Sequence, residues 1–205
     1  TNFLNTGAVT FGASTTFTGG LATTGNLTNP SGTNVAGTLA TTNTTMDLGS
    51  VTLTADSTLK SGSAALNVAS VTDLVGPFDL TLQDNTAGST GTVTFSGNVT
   101  IDDLVTFGQA YAVALHGASN SFDSQVTFLN TSTVTLGNAS ADVLLFDAGL
   151  TSTAPSATRI GGQVRSSADQ IDLGVVTLID NAVVDSTNAT GSPGGAAINF
   201  TGAVN

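Results

Sequence analysis

Cysteine, tryptophan and glutamate are all missing from this 205-residue chain, whose 14 acidic residues are every one Asp. Without Cys there is neither a disulfide framework nor thiol chemistry. Without Trp the Trp-Asp signature of propeller blades cannot be written. Lys60, Arg159 and Arg165 are the only strong bases. Three bases cannot neutralise a phosphate backbone, which excludes nucleic acid as an expected partner. A net charge of −11 argues equally against docking on anionic lipid. No run of 18 apolar residues occurs, so membrane insertion is not expected either. Met, a basic n-region and a signal peptide are absent from the start, and the chain reads as mature or cut from something longer.

Charged residues make up 8% of the chain, against about 25% in ordinary globular proteins. Thr, Gly, Ser and Asn fill those places. Thr and Val favour strands, Gly and Asn favour turns, and the polar residues that favour helices are scarce. The hydrophobic fraction is 40%, enough for a core.

Residues 3–11 read FLNTGAVTF and residues 128–136 read FLNTSTVTL. Taken as a ruler, the tripeptide Val-Thr-(Phe/Leu) recurs at Val9, Val51, Val93, Val134 and Val176, at spacings of 42, 42, 41 and 42. Two residues before each Val stands a small residue: Gly7, Gly49, Gly91, Ser132, Gly174. Four before it stands a turn former: Asn5, Asp47, Ser89, Asn130, Asp172. Each copy reads as a turn feeding a half-buried strand that alternates in, out, in. The two look-alike stretches are expected to fill the same slot of a five-copy array. Val71, Val113 and Ile198 lie 20, 20 and 22 residues beyond their rulers, and the Val-Thr-Phe pair at 105 and 126 is 21 apart. The coil is therefore about half the period.

A fixed period in this range marks a repeat architecture. The expected fold is all-β: a parallel β-solenoid with coils of roughly 21 residues. Residues 1–205 form one domain, part of a longer array or filament. About ten coils stacked at ~4.8 Å would give a rod of ~45–50 Å. Val, Phe and Leu stack inward, while Thr10, Thr52, Thr94, Thr135 and Thr177 point outward. The alternative is a β-sandwich fibre subunit, whose short strands would carry the period as repeated hairpins.

In its Gly-x-Val-Thr-(Phe/Leu) units and segments such as LGSVTLTADSTL at 48–59, the chain resembles the β-strand-repeat, filamentous-haemagglutinin-like surface proteins of bacteria, autotransporter passengers included. The resemblance implies a secreted protein at the cell surface or outside the cell, serving adhesion or surface structure as a stalk, fibre subunit or adhesin. Its partners would be a surface glycan or host surface.

No catalytic residue is expected. His116 is the only histidine, with Ser119 and Asp123 near it in sequence, but no nucleophile elbow accompanies them. Asp102 and Asp103 are the only adjacent carboxylates. On a strand they would point to opposite faces, which disfavours a carbohydrate-active β-helix enzyme needing two carboxyls across one bond. No cofactor is expected. Calcium is the best-suited ion for an Asp- and Asn-rich chain, with Asp102, Asp103, Asp180 and Asp185 as candidate ligands at coil turns. An ice-binding face is the other alternative, but Ala8, Ser50, Thr92, Thr133 and Val175, two before each ruler Thr, do not form a regular Thr-x-Thr array. Asn-x-Ser/Thr triplets at Asn26, Asn43, Asn98, Asn130, Asn138 and Asn188 allow glycosylation without demanding it. The ends carry similar text, TNFLNTGAVTF and INFTGAVN, with no charge in either. End-to-end self-association is the expected partnership.

Overall fold

The computed structural model describes residues 1–73 and 76–205, which contain strands and no helix. Strands pair in parallel with others one coil away in sequence, and these pairings form three ladders. The chain is a β-solenoid with three faces. Face I runs through the inward residues Leu21, Met46, Leu66, Val93, Val113, Val134, Thr158 and Val176, and closes on Val204. Face II runs through Val9, Thr33, Val51, Val71 and Val99, and further on through Leu144, Val164 and Val184. Face III carries Thr15 on Leu39 on Leu59, then Leu80 on Leu104, and later Val126, Leu150, Ile171 and Ile198.

From Leu21 to Val204, face I takes eight steps of 25, 20, 27, 20, 21, 24, 18 and 28 residues. About eight turns replace the ten expected, because corner loops lengthen several coils beyond 21. A period of 42 is two coils. On face I, Val93 leads to Val134 through Val113, and Val134 leads to Val176 through Thr158. On face II, Val9 leads to Val51 through Thr33.

The five rulers do not share one slot. Val9 and Val51 lie on face II, whereas Val93, Val134 and Val176 lie on face I. The long coil from Leu66 to Val93 advances the ladder by 27 residues, so the next ruler falls one face early. The look-alike stretches therefore turn different corners. Phe3, which donates its amide to Ala22 O on face I, leads to Val9 on face II. Phe128, which donates to Thr151 O on face III, leads to Val134 on face I. Each face needs the same in–out–in tripeptide and each corner the same kind of turn, so one stretch of text serves at any of them.

In most strands the expected alternation holds. Val51, Val93, Val134 and Val176 are buried, and the Thr that follows each is exposed or half-exposed. Burying such a Val contributes ~1.5–3 kcal/mol. Leu178 departs from the pattern: expected inward, it is 49% exposed at the end of the last coil. Two of the supposed turn formers, Asp47 and Asp172, sit inside strands and accept from Asn67 Nδ2 and Asn199 Nδ2 of the next coil, each at 2.7 Å. Gly91 does need its lack of a side chain, since a Cβ there would lie 1.7 Å from Ala64 O.

Several polar residues that reach the core are paired with one another or with the backbone. Thr33 Oγ1 donates to Thr23 Oγ1 at 3.0 Å, and the hydroxyls of Ser152 and Thr158 meet at 2.7 Å. Asn120 accepts from Val99 N at 3.0 Å and donates to Gly117 O at 2.7 Å. Between Leu104–Val105 and Val126–Thr127 face III has no backbone ladder. There Thr106 Oγ1 accepts from Leu129 N at 2.8 Å and donates to Thr127 O at 3.2 Å, splicing the two halves.

Candidate functional site

The corner between faces II and III carries an aspartate in coil after coil: Asp56, Asp79, Asp102, Asp123, Asp147 and Asp169, at spacings of 23, 23, 21, 24 and 22. Asp56 lies within the strand Met46–Lys60, between its face II and face III parts, and each of the others follows a face II strand and precedes a face III strand. Several hold the turns on which they sit. Asp56 accepts from Asp79 N at 3.1 Å, Asp73 from Phe78 N and Asp102 N at 3.2 Å each, and Asp102 from Ser124 Oγ at 2.9 Å. Burial and neighbouring carboxylates push Asp79, Asp103 and Asp123 above the ordinary carboxylate range. Asp103 Oδ1 is buried with no hydrogen-bond partner.

Lys60 lies elsewhere, in a cleft of about 430 Å³ at the corner between faces III and I. Its ammonium pairs with Asp84. Partial burial raises the Asp84 carboxyl, but hydrogen bonds from Lys60, Thr86 and Ser89 outweigh it and hold the group well below its usual range. The cleft is lined by hydroxyls, among them Thr16, Thr42, Ser63 and Thr86. Beneath it Gln83, fully buried at φ 62°, accepts from Ser61 N and Gly62 N at 3.0 Å each. Gln83 Nε2 donates to Ser61 Oγ at 3.1 Å and to Gly91 O at 3.3 Å.

The four candidate calcium ligands do not converge. Asp102 and Asp103 stand at the II–III corner. Asp180 follows Val176–Leu178 at the next corner and accepts from Ser140 N at 3.1 Å. Asp185 ends Val183–Asp185, and hydrogen bonds from Thr187 and Ala189 hold its carboxyl below the usual range. Among the described residues no group of three or more His, Cys, Asp or Glu side chains is placed to hold a metal ion. His116 hydrogen-bonds Phe95 O through its backbone, while Ser119 opens the face II strand Ser119–Phe122. Asn130 is fully buried, so it offers no acceptor for a glycan in the folded chain.

No family model, curated protein or solved structure matches this chain. The surfaces above are accordingly read from their own chemistry. The acidic corner escaped a reading tied to Val-Thr-(Phe/Leu), although its spacing was legible in the positions of Asp. The Lys60 cleft left no signal in the sequence: Thr16, Lys60 and Thr86 come from three coils, and only folding assembles them.

Proposed function

We propose that the chain is a non-catalytic extracellular structural or adhesive protein: a stalk, fibre subunit or adhesin segment. The observation that carries this reading is the set of three parallel ladders running along one continuous core. Such a body bears load along its axis, where every coil is held to the next by backbone hydrogen bonds, and it lengthens by repetition without new chemistry. The filamentous-haemagglutinin-like resemblance supports the same role. Pulling single molecules by their ends tests it. The expected trace unzips in steps of roughly 75 Å, one coil each. Release of the whole chain in one low-force event would sink the load-bearing role.

One observation favours ice binding as a second reading. Over four consecutive coils the outward residues of face II are Ser50 and Thr52, Ser70 and Thr72, Asn98 and Thr100, Ser119 and Ser121. This array is uncharged and more regular than the ruler positions suggested, because the rulers mix two faces. It repeats every ~4.8 Å along the axis and ~7 Å along the strand. A thermal-hysteresis measurement decides: no gap between melting and freezing removes this reading.

A further inference from the structure

The turn from face III to face I takes four residues, 42–45, in one coil and five, 61–65, in the next. It then takes ten, 83–92, before falling back to seven, 106–112. Four residues suffice to change face, so the surplus of the long turn stands out from the rod as one wall of the Lys60 cleft. That wall is fixed at several points. Asp84 Oδ1 accepts from Thr86 N at 3.1 Å and from Ser89 Oγ at 2.8 Å, while Oδ2 accepts from Thr86 Oγ1 at 2.7 Å and from the Lys60 ammonium. Asn85 Oδ1 accepts from Gln109 Nε2 of the next coil at 3.2 Å. Gln83 ties the base of the wall to the turn at Ser61 and Gly62. On the other side Asn43, at φ 52°, accepts from Ser63 N at 3.0 Å. The cleft is shaped by the chain's own hydrogen bonds before any ligand enters it.

The polar groups in the cleft are unevenly used. The four bonds to Asp84 fill its acceptor positions. Lys60, the only lysine of the chain, carries three N–H donors and makes one hydrogen bond, to Asp84. Thr42 Oγ1, Asn43 Nδ2 and Ser63 Oγ belong to exposed residues of the lining and have no hydrogen-bond partner among the described residues. The cleft thus offers free donors and hydroxyls around an ion pair whose charges cancel. A phosphate or sulfate would compete with Asp84 for Lys60 and would face its carboxylate at close range. An apolar ligand would leave the donors unpaired. A peptide strand needs a free backbone edge, whereas here Thr42 N is paired with Phe17 O and Gly91 N with Gly62 O, at 3.0 Å each. We propose that the cleft binds a neutral saccharide of one or two rings, whose oxygens accept from Lys60 Nζ and Asn43 Nδ2 and whose hydroxyls donate to Thr42 Oγ1 and Ser63 Oγ. The volume of about 430 Å³ lies in the range of small-molecule sites. No aromatic ring lines it, so the sugar has no stacking platform and the dissociation constant should be on the order of 1 mM. This inference rests on the reading of the chain as an adhesive protein and gives that adhesion a ligand class and a place.

The test titrates the isotope-labelled 205-residue chain with galactose, glucose, mannose, N-acetylglucosamine, lactose and maltose, followed by amide resonances, with sodium sulfate and sodium phosphate as controls. At least one of these sugars should shift the amides of Thr42, Ser63 and Thr86 to saturation, while those of Thr72 and Ser121 on face II stay in place. Thr42→Val and Ser63→Ala remove hydroxyls that bond nothing within the chain, so folding is kept, which thermal melting checks. Each should weaken binding about three- to tenfold. Lys60→Met keeps the stem and removes the charged donors, and should weaken binding at least about tenfold. Amides at the cleft that no sugar shifts at tens of millimolar overturn the proposal. So does binding that survives Lys60→Met combined with Ser63→Ala, or a cleft that takes sulfate or phosphate in place of sugar. A chain that ignores every sugar yet unzips coil by coil loses this inference and keeps the load-bearing reading. One that binds sugar but releases in a single low-force event keeps the cleft and loses the stalk.

Discussion

Val93 and Thr94 are adjacent, one fully buried and one half-exposed, and the difference sets what each tolerates. Val93→Asp places an unpaired carboxylate in the core and should cost roughly 3–5 kcal/mol, read as a lowered urea midpoint. Thr94→Asp should stay within about 1 kcal/mol. Equal losses would mean that the in–out assignment fails. Gln83 is a different kind of residue. Its single amide serves Ser61 N, Gly62 N, Ser61 Oγ and Gly91 O in a buried site. Gln83→Leu keeps the bulk and strands those groups, each worth ~1–3 kcal/mol when left unpaired. Thermal melting should place this loss above that of Thr94→Asp. Tyr111 is wholly buried, its hydroxyl accepting from Phe107 N at 2.8 Å and donating to Leu82 O at 3.3 Å, and burial pushes its pKa up to about 12.

At the scale of elements, the splice at Thr106 is the point where a ladder depends on a side chain. Thr106→Val preserves shape and removes the hydroxyl that joins Leu129 N to Thr127 O. Amide exchange at Leu129 should accelerate, while exchange at Phe95 on face I stays as it was. Strands, coil size and the alternation of Val and Thr were legible in the sequence, because inward Val at Val51, Val93, Val134 and Val176 answers to a two-residue period that no partner is needed to see. The face on which each strand lies was not legible. Val51 and Val93 each open a Val-Thr-(Leu/Phe) unit with Gly two residues before it, and only the summed length of the coils between them decides that they occupy different faces. The sites divide likewise. Aspartates repeating once per coil at one corner are visible as a spacing, whereas the Lys60 cleft depends on three coils coming into register.

For the whole molecule, net charge and its placement govern the response to pH. Asp79, Asp103 and Asp123 have folded-state pKa values above those of the unfolded chain. Their stabilising contribution is full below the unfolded value of about 3.9 and is lost as pH rises through the folded values. Asp84 and Asp185 act oppositely, contributing above that value and losing it as pH falls further. The urea midpoint should therefore be higher near pH 4 than at pH 7, and salt should narrow the gap by screening the acidic corner. Asp79→Asn should flatten the profile above pH 4; an unchanged profile would show that this corner does not set it. The strand Met46–Lys60 has a consequence for how the molecule comes into being. Its 15 residues run unbroken through all three faces. Once that segment bends into a ring, it offers a template edge on every side, above and below. Each later coil adds to an edge already in place rather than closing a new loop against entropy. Folding then resembles crystal growth from a seed, with two fronts moving apart, and kinetic φ-values should be near 1 at Val51 and Leu59 and fall toward 0 at Val176.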